Sequence, residues 1–129
     1  MTDIDKFVKE QLIPFRVKAL EIFSQKHPHI YSMINTFLAG KQNHMGIQIS
    51  DNNKIVGEYT FHLEGVNIAT VDYGKLSLEI HHPFLGIVKP YAIIERSALE
   101  QIINDAELLK EPFTAIPKYL PAITIKFLR

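Results

Sequence analysis

The hydrophobic period changes once along this chain, and that change limits the folds open to it. Up to residue 38, apolar residues return at steps of three and four: Ile4, Phe7, Val8, Leu12, Phe15, Ala19, Ile22 and Phe23, then Ile30, Met33, Ile34, Phe37 and Leu38. That spacing lines one stripe of a helix. From Met45 the step is two. Ile47 and Ile49 alternate with Gln48 and Ser50, and Ile55, Gly57, Tyr59, Phe61 and Leu63 alternate with Val56, Glu58, Thr60, His62 and Glu64. Side chains at a spacing of two point to one face of a strand, here apolar on one side and mostly polar on the other. The first forty residues are therefore read as helical and residues 45–129 as sheet with one inserted helix.

Breaks and caps refine this division. Pro14 cannot donate a backbone hydrogen bond, so a kink or a junction of two helices is expected there, with Pro14 in the first turn of the second. Pro28 suits the first turn of another helix, and Gly40 its C-terminal cap. Asp51-Asn52-Asn53 supplies turn chemistry between two strands. Gly65 ends the second strand and Val66 to Tyr73 forms a third. After Gly74, Leu76, Leu78 and Ile80 alternate with Lys75, Ser77, Glu79 and His81 as a fourth. Strands this close in sequence predict an antiparallel meander. Residues 83–90 read as a loop and Tyr91 to Ile94 as a strand. Ser97 with Glu100 matches a capping box for a helix carrying Leu99, Ile102, Ile103, Ala106 and Leu109. Pro112, Pro117 and Pro121 interrupt the chain beyond that helix, and Ile123, Ile125 and Phe127 alternate into a last strand. The expected fold is α+β: one domain over residues 1–129, with an antiparallel sheet of about five strands and helices packed on one face.

Composition excludes several function classes. Lys and Arg balance Asp and Glu at 14 each, and no basic run occurs. A nucleic-acid backbone is neutralised by clustered cations, so nucleic acid is not an expected partner. With no cysteine, disulfides, thiol nucleophiles and thiolate metal sites are out of reach. The start, residues 1–6, is acidic and lacks an apolar core, so no secretory signal is expected. No apolar run approaches the roughly 20 residues that span a bilayer. A cytoplasmic location is expected.

The search for chemistry centres on six histidines. His27 and His29 flank Pro28, and His81-His82 precedes Pro83, but neither pair has a spacing tied to zinc geometry. His62, Glu64, Glu79 and His81 could meet across strands, with His62 and His81 as metal ligands. They share parity with Glu58, Thr60, Lys75 and Ser77, which reads more simply as a solvated sheet face. No GxSxG, GxGxxG or Walker loop is present, and Ser97 is explained as a cap. Asp3/Asp5 and Asp105/Glu107 read as solvated helix carboxylates. No enzyme activity, cofactor or metal is expected. The apolar side of the sheet would set Tyr59, Phe61 and Leu63 beside Leu76, Leu78 and Ile80. The apolar segments at 84–88 and 113–116 must pack on a core, cover a cavity mouth or meet a partner.

The order of elements resembles the sterol carrier protein type 2 family from about Phe37 to Phe127. The resemblance is carried by Ala39-Gly40-Lys41 with Met45-Gly46-Ile47-Gln48-Ile49-Ser50-Asp51, by the run from Ala92 to Ile103, and by Glu111-Pro112-Phe113 with Ala122 to Phe127. It implies helices before and after a five-stranded, largely antiparallel sheet, with a hydrophobic tunnel between sheet and helices. The segment that commonly follows the family's last strand has no counterpart before Arg129. Closure of the tunnel then falls to the N-terminal helices or to another chain, or the site is absent. The function implied is non-catalytic binding or carriage of a lipid, sterol or fatty-acyl molecule. Its walls would be Tyr59, Phe61, Leu63, Leu76, Leu78 and Ile80 from the sheet, with Ile102, Ile103 and Phe113 opposite. The alternative is an interaction or homodimerisation module with a solid core, contacting its partner through residues 84–88.

Overall fold

The computed structural model describes residues 2–38, 42–76, 80–82 and 86–128. Gly40, Ser77, Leu78, Glu79, Pro83, Phe84 and Leu85, which carry part of the sequence-based expectations, lie outside them. The chain opens with α1 (Asp3–Phe7), whose first turn is closed by a capping box: Thr2 and Asp5 each accept the other's backbone N–H at 3.2 Å. A π-helical segment (Val8–Leu12) runs from its end directly into α2 (Ile13–Lys26). Pro14 stands in the first turn of α2, inside a continuous helical run, where it cannot donate to the preceding turn. The wider π turn instead sends the Ile13 N–H back to the Val8 carbonyl. α3 (Pro28–Leu38) completes the helical region.

The strands are β1 (Gln42–Asp51), β2 (Lys54–Glu64), β3 (Asn67–Tyr73), β4 (Ile80–His82), β5 (Gly86–Val88), β6 (Pro90–Glu95) and β7 (Ile123–Phe127). Asn52 and Asn53 both take left-handed dihedrals, with φ of 52° and 64°, and close the β1–β2 hairpin as the Asn pair suggests. Between β6 and β7 lie α4 (Arg96–Ile103), α5 (Ala106–Lys110), α6 (Pro112–Ala115) and two short 3₁₀ turns.

The five-stranded sheet has the order β3-β2-β1-β6-β7. Its β1–β6 pair is parallel, and its other pairs are antiparallel. The expectation of an antiparallel sheet is therefore corrected to a mixed one. The cause is the connection after β3: residues 74–89 carry the chain from one edge of the sheet to the far side of β1, so β6 enters in the same direction as β1. A parallel pair requires a crossover of this kind of length. Among the described residues the crossover adds no fourth strand to the meander: Leu76 is outside any strand, and β4 pairs with β5 in a separate ribbon, while residues 77–79 of the expected strand lie outside the described residues. Gly86–Val88, expected as loop, is the second strand of that ribbon.

A helix layer covers one face of the sheet. Ile4, Phe7 and Val8 pack with Ile49, Tyr59, Ile94 and Leu99 in the buried core, and Ile102, Ile103 and Ile123 border it. Register explains the grouping, since Ile49 stands beside Ile94 on one side and Gly57 on the other, while Ile47 stands beside Ala92 and Tyr59. On the opposite, polar parity, Gln48 donates to Glu58 at 2.8 Å. Thr60 is fully buried and its hydroxyl donates to the Lys75 carbonyl of the crossover at 2.7 Å. The Ser97 cap is not formed. Glu95 is still paired as strand against Ser50, so the helix begins at Arg96 and Ser97 lies within it. Glu100 instead accepts from Arg96 Nε at 3.0 Å. Among the described residues, no helix is long and apolar enough to cross a membrane.

Candidate functional site

Where α2 leaves the core it stands off the sheet, and an apolar groove of about 560 Å³ lies between them. The helix wall carries Leu12, Phe15, Arg16, Ala19, Leu20 and Phe23, residues three and four apart on one helical stripe. The floor is the apolar parity of three adjacent strands: Met45 and Ile47 of β1, Phe61 and Leu63 of β2, and Ala92 of β6, with Ile68 at the edge. Leu108, Pro112, Phe113 and Ile116 close the far side.

The far wall is fixed by polar contacts outside the groove. Asp105 caps α5 by accepting the Glu107 N–H at 3.0 Å, and also accepts from Lys118 Nζ at 3.2 Å and from the Tyr119 hydroxyl. These bonds, that of Tyr119 above all, hold its carboxyl below the usual carboxylate range. Lys26, at the end of α2, donates to the Lys110 carbonyl at the end of α5. Phe23, His27 and Phe113 stack at the same end, with ring centroids 5.1–5.8 Å apart. His27 Nε2 is buried there with no hydrogen-bond partner among the described residues.

The groove has one charged side chain among its described lining residues, Arg16. It is half-buried, and burial lowers its pKa, with Tyr31 opposing that shift. Among the described residues it forms neither an ion pair nor a hydrogen bond.

The sequence-derived wall residues divide. Phe61, Leu63 and Phe113 come together at the groove. Tyr59 does not line it: its ring is fully buried in the adjoining core and its hydroxyl donates to Asp5 Oδ1 at 2.7 Å. Ile102 and Ile103 pack against that same core. Leu76 is half-buried in the crossover, away from the described lining. Leu78 lies outside the described residues, and Ile80 belongs to the β4–β5 ribbon. The α2 side of the groove was not assigned from sequence, although its signal was present: Leu12, Arg16, Leu20 and Phe23 form one stripe interrupted by a cation.

A second cluster occupies the polar face. His62 Nε2 and Asp72 Oδ2 are 2.5 Å apart, and the His44 ring stacks on that of His62 at 4.1 Å. The bond to His62 is the main cause of a lowered Asp72 pKa. Among the described residues, no group of three His, Cys, Asp or Glu is placed to hold a metal ion.

No protein-family model matches this chain, and no curated protein or solved structure matches it significantly.

Proposed function

We propose that the protein binds a hydrophobic small molecule, of lipid or fatty-acyl type, in the groove between α2 and the sheet, and carries it without chemical change. The observation behind this reading is the groove itself. At about 560 Å³ it falls inside the roughly 300–1,000 Å³ typical of small-molecule sites, which are mostly apolar with few polar groups. Burying apolar ligand surface contributes about 25 cal/mol per Å², so affinity needs no dense polar network. The residue patterns resembling the sterol carrier protein type 2 family favour the same class of ligand.

Titration with a neutral long-chain alcohol such as dodecanol tests the reading, alongside native mass spectrometry of the purified protein for a co-purifying lipid. Saturable binding of one molecule is expected. Phe61→Asp, which sets a charge on the floor, should abolish it. Met33→Asp, on the exposed side of α3, should not. Equal behaviour of the two variants, or no uptake by the parent protein, would refute the proposal.

A second reading, self-association, is favoured by a different observation. The edge strand β7 leaves Ile125 and Phe127 56% and 65% exposed, an apolar edge of the type that pairs with another strand.

A further inference from the structure

We propose that Arg16 is the head-group receptor of the groove, and that the bound molecule is a single-chain amphiphile ending in a carboxylate. This rests on the groove being a ligand site and goes on to name what it selects.

Arg16 occupies a stripe position that Leu12, Ala19, Leu20 and Phe23 fill with apolar groups. A guanidinium among such neighbours is normally matched by a carboxylate, because an unpaired cation away from water is unfavourable. Among the described residues no acid is matched to it, although Asp and Glu number 14 in the chain. Tyr31 is the neighbour that acts on it electrostatically, and its phenol supplies no formal negative charge at neutral pH. What remains is a planar fork of donors whose geometry fits an incoming carboxylate with two parallel bonds.

The charge count narrows the head group. With no second cation among the described lining residues, one guanidinium balances one negative charge. A carboxylate carries that charge, whereas a phosphate monoester carries about −1.5 to −2 at neutral pH and would remain under-compensated. From Arg16 the groove wall runs seven residues on to Phe23, about 10 Å of axis at 1.5 Å per residue. A tail of moderate length can therefore lie against its wall while the head stays at the half-buried arginine.

The test compares dodecanoate with dodecanol on the full chain, together with Arg16→Gln, Arg16→Lys and Arg16→Met. Dodecanoate should bind the parent protein about tenfold to a hundredfold more tightly than the alcohol, the range for a charge-assisted hydrogen-bonded pair. Arg16→Gln and Arg16→Met should erase the preference, so that each variant binds dodecanoate no more tightly than it binds the alcohol. Arg16→Lys should recover part of the preference, since the charge remains without the fork. Without ligand, Arg16→Met should melt at the same temperature as the parent or higher, because an unpaired charge has left apolar surroundings. If dodecanol binds as tightly as dodecanoate, the groove reading survives and the role of Arg16 falls. If neither binds, both fall. A markedly lower melting temperature for Arg16→Met would assign the residue to the fold and overturn its role as receptor.

Discussion

Tyr59 is among the largest side chains removed completely from solvent, and its hydroxyl ends on the Asp5 carboxylate at the first turn of α1. The ring lies over Gly57 so closely that a Cβ there would come within 2.5 Å of the hydroxyl oxygen, so a glycine is required two residues before the tyrosine. The pair joins the helix layer to the sheet through one charge-assisted bond. That bond lowers the Asp5 pKa, and burial followed by the same bond raises that of Tyr59. For a depressed carboxyl, the stabilisation is present above the unfolded value of about 3.9 and is lost as pH falls through the lower folded value. For a raised phenol, it is present below about 10 and is lost as pH rises beyond. Tyr59→Phe should therefore destabilise the protein by about 1–2 kcal/mol at neutral pH and flatten both limbs of the stability profile. Urea unfolding across pH 2–11 would check this, and an unchanged acid limb would count against the pairing. The sequence marked Tyr59 as apolar-facing but held no sign of its partner. Asp5 looked like a solvated helix carboxylate, and its contact comes from a residue far along the chain.

At the scale of elements, the short helices after α4 depend less on propensity than on Asp105. Helices of five and four residues are too short to hold themselves. Asp105 gathers a backbone N–H, Lys118 and Tyr119 into one knot and so presents Phe113 and Ile116 to the groove. Asp105→Ala should raise hydrogen exchange over residues 106–119 and leave β1 and β2 protected. In the parent protein the same protection should fade as pH drops below about 4, because the lowered carboxyl must be protonated to release the knot. Mass-spectrometric exchange would detect both effects, and uniform exchange across the two regions would remove the role assigned to Asp105. The helices before β1 and the hairpin at Asn52-Asn53 were legible because their signals are local, whereas the single helix read across Leu99 to Leu109 is divided at Asn104 and Asp105 into α4 and α5. The parallel pairing of β6 was not legible. Tyr91 to Ile94 reads as a strand either way, and its direction is set by a crossover whose first residues, Lys75 to His81, alternate like a sheet strand. Among the wall residues, Phe61 and Leu63 were legible through parity, while Tyr59 on that parity falls under α1 rather than α2. Parity gives the face of a sheet, not which helix covers it.

For the molecule as a whole, the sheet has one edge at β3 and another at β7. The β7 edge is the more exposed in apolar terms. Ile125 and Phe127 stand on the same parity as the groove floor, Ile125 being the partner of Ala92, so apolar surface continues from the groove to the rim. In an antiparallel self-pairing centred on Ile125, Lys126 faces Thr124 of the second copy, and no like charges meet. Ile125→Lys should raise the protein concentration at which self-association begins and alter stability by less than about 0.5 kcal/mol, as exposed substitutions do. Light scattering against concentration would measure it. If parent and variant associate alike, β7 is not the contact.

The place of β6, between β1 and β7, also bears on the order in which the molecule becomes complete. A chain emerging from the ribosome can form the helices and the β1–β2–β3 hairpins early, since their contacts are near neighbours. Ala92 and the wall at Phe113 arrive only after the crossover has been made. The recess that would hold a ligand thus has no floor on one side and no far bank until the last third of the chain has docked, and a nascent or truncated product would present its apolar residues as open surface.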